Sequence, residues 1–266
     1  MMYSSLKLLQ KYLHYYFTAE NSKGHGIHSP FVFDFVRNVL NDRSKYEAYH
    51  KVENLRNELL QDLSLVEVVD LGAGSALSKK RQRTVADITR HAAKSRKYGQ
   101  LLHRIIRYYD VQSVIELGTS LGLSTSYLAL ANDRVSVVTL EGAPGVAARA
   151  EQNFRQLSLK NIRLVTGNFN ETLPLVLNSL ATVNCCFIDG NHRKDPTLDY
   201  FNMLSEKINA NSILIFDDIH WSKEMEEAWD LIRKHPSVSL SIDLFFLGIL
   251  FFRDEFKSKQ HFVIRY

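Results

Sequence analysis

Five carboxylates stand where apolar runs stop. Glu116 falls in VIEL, Glu141 closes VSVVTLE, Asp189 closes CCFID, and Asp217 and Asp218 close LIFDD. An acid at the end of a buried strand is costly to keep unless a donor, a ligand or a cation answers it. Glu116 is followed by Gly118 and Gly122, with Thr119 and Ser120 between them and Ser124 and Thr125 opening a periodic segment. Strand, glycine turn and helix together have the form of a nucleotide-binding βαβ unit, in which glycine lets backbone approach a ligand with no Cβ in the way.

The spacing bears on which ligand that is. A dinucleotide site calls for G-x-G-x-x-G with a pyrophosphate at the helix N-terminus. Here the stretch 118–124 reads G-T-S-L-G-L-S, and an acid stands two residues before the first glycine. That pattern favours a ligand carrying positive charge. S-adenosylmethionine (SAM) has a sulfonium, an ammonium and a ribose diol that an acid can hold. Glu141, with Gly142 behind it, is at the strand tip where open α/β sheets contact ribose. An NAD-dependent oxidoreductase is the rival enzyme reading, disfavoured by the missing third glycine, and a plain buried strand and turn is the bland one.

At these residues, from about 97 to the C-terminus, the chain resembles the class I SAM-dependent methyltransferases, in particular the metal-dependent O-methyltransferases of the catechol and caffeoyl-CoA type. The resemblance implies that Glu116, Gly118, Ser120 and Ser124 line the methionine end of SAM, with Thr119 and Gly122 in the same loop, and that Glu141 and Gly142 meet the ribose. It also implies that Asn168 and Phe169, after IRLVTG, flank the adenine. KYGQLL, 97–102, is similar to the segment preceding the first strand in that family.

The remaining acids extend this reading. In a parallel sheet the tips carrying Asp189, Asp217 and Asp218 lie on the same edge as Gly118 and Glu141. Clustered carboxylates repel unless something positive sits among them, and a hard divalent cation, Mg²⁺ above all, suits oxygen ligands. The resemblance implies that Asp189 and Asp217 ligate the metal. The family's third ligand is usually asparagine, where this chain has Asp218, and the D-G-x-H pattern 189–192 is similar to certain sugar O-methyltransferases. His192 stands where the catechol type has a lysine base, and a histidine titrating near neutrality suits a general base. Three alternatives stay open: Asp217 or Asp218 caps the next helix, Asp189 serves the SAM ammonium without metal, and His192 is an exposed turn residue. His220 and Trp221 either shape an acceptor pocket or pack.

The elements that must position these groups follow from periodicity. From Ser113 onward apolar runs and helical segments alternate, the pattern of a parallel sheet covered on both faces. The expected fold is α/β and Rossmann-like: a seven-stranded, mostly parallel sheet with helices on both faces, an antiparallel last strand and an N-terminal helical extension. Residues 1–95 are assigned to that extension and linker, a cover for the pocket, and 96–266 to the SAM-binding domain. Residues 244–252, LFFLGILFF, read as one long central strand. SLSIDLFFLGILFFR and HFVIRY read as an antiparallel pair, and Asp195 as a helix N-cap before Pro196.

Before the glycine unit, GHGIHSP (24–30) carries His25 and His28 without a third ligand nearby. It reads either as a loop over the pocket or as a turn before a helix beginning at Pro30. VEVVDLGAGSAL (66–77) imitates the glycine motif with Asp70 in the acid's place, but no second acid-tipped strand follows, so it is assigned to a loop or short strand. Residues 79–97 hold eight Lys or Arg against one acid. Without interleaved aromatics the stretch reads as a solvated helix face, although RNA binding by a non-catalytic SAM-fold module is the third hypothesis.

Composition sets the frame. A chain of 266 residues with a formal charge of +4 can bury one sizeable α/β core, and that charge does not by itself argue for nucleic acid. Adjacent Cys185 and Cys186 could bridge one another only under strain, and no signal peptide or membrane span is read, so the expected location is cytoplasmic. The expected activity is SAM-dependent O-methylation of a small hydroxylated acceptor with a divalent metal and a histidine base. A homodimer is the expected assembly, with no nucleic acid or membrane partner.

Overall fold

The computed structural model describes residues 2–21, 27–68 and 82–266. Ten α-helices and ten strands follow one another: α1 Ser5–Thr18, α2 Pro30–Phe35 with a π-helical turn Val36–Leu40, α3 Glu47–Leu59, β1 Leu65–Glu67, β2 Gln82–Thr84, α4 Val85–His91, α5 Arg96–Tyr108 and β3 Ser113–Leu117. Then come α6 Leu123–Ala129, β4 Ser136–Glu141, α7 Pro144–Gln156, β5 Ile162–Thr166, α8 Phe169–Asn178, β6 Cys185–Ile188, α9 Lys194–Ser205, β7 Ile213–Asp217, α10 Lys223–Arg233, β8 Leu240–Asp243, β9 Leu247–Phe251 and β10 Gln260–Val263. β1 and β2 form an antiparallel pair, and the other eight strands run in the order β10-β8-β9-β7-β6-β3-β4-β5.

The expected α/β class with a mostly parallel sheet is borne out, with eight strands where seven were expected. β3, β6, β7, β8 and β9 are buried at nearly every position, as strands covered on both faces must be, while β5 and β10 at the edges are partly open. The extra strand arises because 240–251 is not one run. Asp243 accepts a hydrogen bond from the amide of Phe245, which adopts φ 69°, and this turn folds β9 back antiparallel on β8. β9 therefore runs antiparallel to both its neighbours, β7 and β8, and β10, the last strand, pairs parallel with β8 where an antiparallel last strand was expected. Residues 244–252 are accordingly no single long strand.

The chain divides into two compact units, Met1–Asp42 with Leu180–Tyr266, and Arg43–Ser179. In the second, β3, β4 and β5 pair in parallel, and a core of Tyr49, Val52, Leu55, Leu59, Val85 and Ile88 from 43–95 closes on Leu121, Leu123, Tyr127 and Val146. Tyr127 donates to Glu53 at 2.7 Å, tying α6 to α3. VEV in the imitation motif contributes the short strand β1, as expected; residues 69–81, including Asp70, lie outside the described residues. The basic stretch is not one helix face: from residue 82 it is divided among β2, α4 and α5, and Arg83 is buried against Asp87 at 2.6 Å.

In the first unit Pro30 opens α2, as a turn before a helix requires; His25 lies outside the described residues. Asp195 is not an N-cap: α9 begins one residue earlier, with Arg193 at the cap, so Asp195 sits in the first turn, where its charge meets the helix dipole favourably. α1 is fastened by ions. Glu226 of α10 accepts from Lys11 at 2.9 Å, Tyr3 at 2.7 Å and His220 at 3.0 Å, and the other ring nitrogen of His220 reaches Asp243 at 2.8 Å. Only a doubly protonated imidazole can donate to both carboxylates. Burial pulls its pKa down, but the bonds to Asp243 and Glu226 outweigh burial and raise it to about 9. His220 is thus a structural ion that also lines a cavity beside α1.

His220 gains its partners on folding, so its stabilisation is full below its ordinary pKa of 6.5 and drains away as pH rises toward 9. Thermal melts of the native chain and a His220→Gln variant should differ most near pH 6, by on the order of 2 kcal/mol, and converge by pH 9 to 10. A difference that stays constant over that range would show that the ring is not charged in the fold.

Candidate functional site

The glycine loop lies in the second unit. β3 ends at Leu117, and the chain reaches α6 through Gly118 (φ 103°), Ser120 (φ 49°) and Gly122 (φ 79°), three left-handed residues in five. A Cβ on Gly122 would sit 2.3 Å from the ring of Phe154, so that position needs glycine for both space and φ. The amides of Gly118 and Thr119 both reach the carbonyl of Leu140, binding the loop to the end of β4.

Two acids answer this loop differently. Glu141 is partly exposed, and its carboxylate accepts from the amide of Ser120 at 2.8 Å and that of Ala143 at 2.9 Å. Burial raises its pKa, and bonds from the Ala143, Ser120 and Gly142 amides pull it back. Glu116 is fully buried. It pairs in register with Thr139, and its Oε2 accepts from Thr139 at 2.6 Å and Thr125 at 2.5 Å, while Thr119 reaches Thr139 at 2.6 Å. Burial pushes Glu116 up to about 7 against the opposing hydroxyls of Thr125, Thr139 and Ser124. Its Oε1 is buried with no hydrogen-bond partner among the described residues.

Asn168 and Phe169, expected on the adenine side, follow the end of β5. The amide of Gly167 donates to the carbonyl of Glu141 at 2.9 Å, Asn168 caps α8 by accepting from Asn170, and Phe169 is the first helical residue. Thr139 is not singled out by the sequence, and Thr125 is read there only as the opening of a helix. A hydroxyl inside the apolar strand VSVVTLE was the available signal.

The first unit holds the remaining candidates. Asp189, His192 and Asp217 bring one ligand atom each within 4.8 Å of one another, and His192 Nε2 is 3.6 Å from Asp189 Oδ1. The loop carrying them is fixed by Asn191, which adopts φ 54° and donates to Tyr200 of α9 at 3.1 Å. Two carboxylates and an imidazole at such separations fit a divalent cation. Asp218 lies outside this group. It turns the chain after β7 with φ 53°, and its amide donates to the carbonyl of Phe246 at 2.7 Å. Neither aspartate caps the following helix, because Ser222 does so by accepting from Met225.

A strand–glycine loop–helix unit with acid-tipped neighbouring strands in a mostly parallel sheet is an open α/β nucleotide-binding fold. Comparison with known proteins agrees. Residues 115–219 match a family described as a methyltransferase domain. The chain is 29% identical over 126 residues to a catechol O-methyltransferase of Niastella koreensis, covering 46% of this chain and 55% of that one. It spans about half the length of the curated relatives it matches. In fold it is similar to the SAH-bound methyltransferase PaMTH1 of Podospora anserina (TM-score 0.59, 15% identity, 85% of this chain and 97% of that one). It is also similar to an O-methyltransferase of Bacillus cereus in complex with SAH (TM-score 0.56, 19% identity, 83% and 97%). The resemblance read from the glycine loop therefore holds.

Replacing Gly122 by alanine should destabilise the chain by about 1–3 kcal/mol, since the new methyl meets Phe154 in a disfavoured backbone conformation. Thermal denaturation checks this, and an unchanged melting temperature would mean that the loop does not need its left-handed turn.

Proposed function

We propose that the protein transfers a methyl group from SAM to a hydroxyl oxygen of a small acceptor, assisted by a divalent cation. The observation that carries the donor assignment is the buried Glu116 with an unpartnered carboxyl oxygen under a left-handed glycine loop. A cationic ligand answers that oxygen, whereas a pyrophosphate would worsen it. In this reading Gly118, Thr119, Ser120 and Ser124 form the methionine end, Glu141 and Gly142 hold the ribose, and Asn168 and Phe169 border the adenine. SAM supplies an activated methyl carbon on a sulfonium that leaves as a neutral thioether.

Asp189 and Asp217 would hold the cation, whose charge would supply Lewis acidity to a neighbouring hydroxyl. His192 Nε2 accepts the acceptor's proton. The chain's main contribution is alignment of the two reactants, worth several kcal/mol when the attacking oxygen and the methyl are held in line. A second reading is favoured by the position of His192 inside the ligand group: as third ligand it would have no lone pair left for a proton, and the two roles exclude one another. An imidazole in the ligand set would also move metal preference from Mg²⁺ toward Mn²⁺ or other transition ions.

Asp189→Ala and Asp217→Ala should each cost at least about a hundredfold in turnover, and excess chelator should do the same. Full activity in chelator removes the cation from the scheme. His192→Asn decides between base and ligand: loss of a base lowers turnover at unchanged metal affinity, whereas loss of a ligand weakens metal binding about 10–100-fold.

Binding of a cation beside Glu116 should lower its pKa from about 7, so SAM binding at pH 7 should release up to about half a proton. Calorimetry in buffers of different ionisation enthalpy measures this. Release that is absent in the native chain, or unchanged in Glu116→Gln, would detach Glu116 from the ligand.

A further inference from the structure

α1 turns a polar stripe toward the C-terminal strands. Lys7, Lys11, His14 and Thr18 recur at helical spacing, so their side chains form one line along the length of the helix. That line borders a cleft of about 450 Å³ lying wholly within the first unit, a volume in the range of small-molecule sites. Tyr15, Phe245 and Val263 supply its apolar lining, with the Tyr15 and Phe245 ring centroids 5.2 Å apart.

The charged lining is partly spent on itself. His220 lies between Asp243 at 2.8 Å and Glu226 at 3.0 Å, and Lys11 is 2.9 Å from Glu226. Burial pushes Glu226 up, but bonds from His220, Lys11 and Tyr3 outweigh it and hold its pKa at about 2, so it stays ionised. Three cations, Lys7, Lys11 and protonated His220, therefore face two carboxylates. The surplus lies on the α1 side: Lys7 Nζ, the Gln10 amide and the His14 ring have no partner among the described residues.

We propose that this cleft binds a small organic monocarboxylate with an aromatic body, its carboxylate held by Lys7 and His14 and its ring laid against Tyr15 and Phe245. Charge selects the head group. A cation would meet three positive groups, and a phosphate dianion would exceed the single surplus charge while lying beside Glu226 and Asp243. A monoanion matches it. The lining selects the body, because paired aromatic rings offer a further ring offset or edge-on contacts. The site is separate from the group of Asp189, His192 and Asp217. Asp243 ends β8, and β9 intervenes between β8 and β7, which puts about 10 Å of sheet between Asp243 and Asp217. The assignment is therefore independent of the methyl-transfer reading. A ligand here touches both α1 and the β8–β9 turn, so its binding should fasten the N-terminal helix to the sheet.

The test is calorimetric titration of the full-length chain with 2-naphthoate, its neutral isostere 2-naphthamide, and 2-naphthyl phosphate. The carboxylate should bind with a Kd of about 1 mM or tighter and raise the melting temperature saturably. The amide should bind at least about tenfold more weakly, and the phosphate no more tightly than the carboxylate. Lys7→Met with His14→Gln should cost the carboxylate about tenfold at an unchanged melting temperature of the free chain, because both side chains are exposed. Excess chelator should leave the affinity as it is. Absence of binding at about 10 mM carboxylate, ten times that Kd, overturns the proposal. So does an amide that binds equally well, a phosphate that binds more tightly, full affinity in the double variant, or binding lost in chelator, which would place the carboxylate on a cation instead.

Discussion

A carboxyl group with no access to water sits at the end of β3, and much of the second unit is arranged to tolerate it. Ionised and unpartnered, Glu116 would cost several kcal/mol. Its stabilisation comes from hydroxyls on three different elements: Thr125 on α6, Thr139 on β4 and, one step removed, Thr119 in the loop. The helix, the neighbouring strand and the connecting loop are thereby drawn to one point. Glu141 completes the arrangement from the other side, its carboxylate spanning the amides of Ser120 and Ala143 and so joining two loops. A loop with three left-handed residues is tolerable because these bonds over-determine it.

The first unit relies on charge where the second relies on hydroxyls. Glu226 gathers Tyr3, Lys11 and His220 within hydrogen-bond reach. These bonds, together with the burial of Tyr15 and Tyr12, seat the N-terminal helix on the C-terminal strands, with Tyr15 reaching the carbonyl of Ile264 and Glu20 bridging the same residue. Attachment along one face and one flank is what leaves the opposite stripe of α1 open.

Chemistry in this unit turns on one short loop. D-G-N-H places Asp189 and His192 side by side, and the left-handed Asn191 with its bond to Tyr200 sets their separation. The imidazole lies 3.6 Å from the Asp189 carboxylate, with Asp217 close by. Asp218, one residue after Asp217, is diverted into the backbone turn that meets the β8–β9 connection.

Apolar runs ending in acids, glycines four apart and alternating helical and strand periods were enough to determine the fold class, the glycine loop and the two acid-bearing edges, because these signals depend on neighbours within a few residues. Tertiary structure decided what depends on distant partners. His220 became a half-buried cation because Asp243 and Glu226 converge on it. The run 240–251 broke because the Asp243 carboxylate caps a turn that strand propensity alone would have crossed. Thr139 acquired its importance from lying in register with Glu116, a pairing across strands that no local pattern contains. Asp218 falls outside the cluster of Asp189, His192 and Asp217 for the same reason: periodicity tells which residues reach a strand tip, but the backbone torsions beyond that tip determine which of them meet.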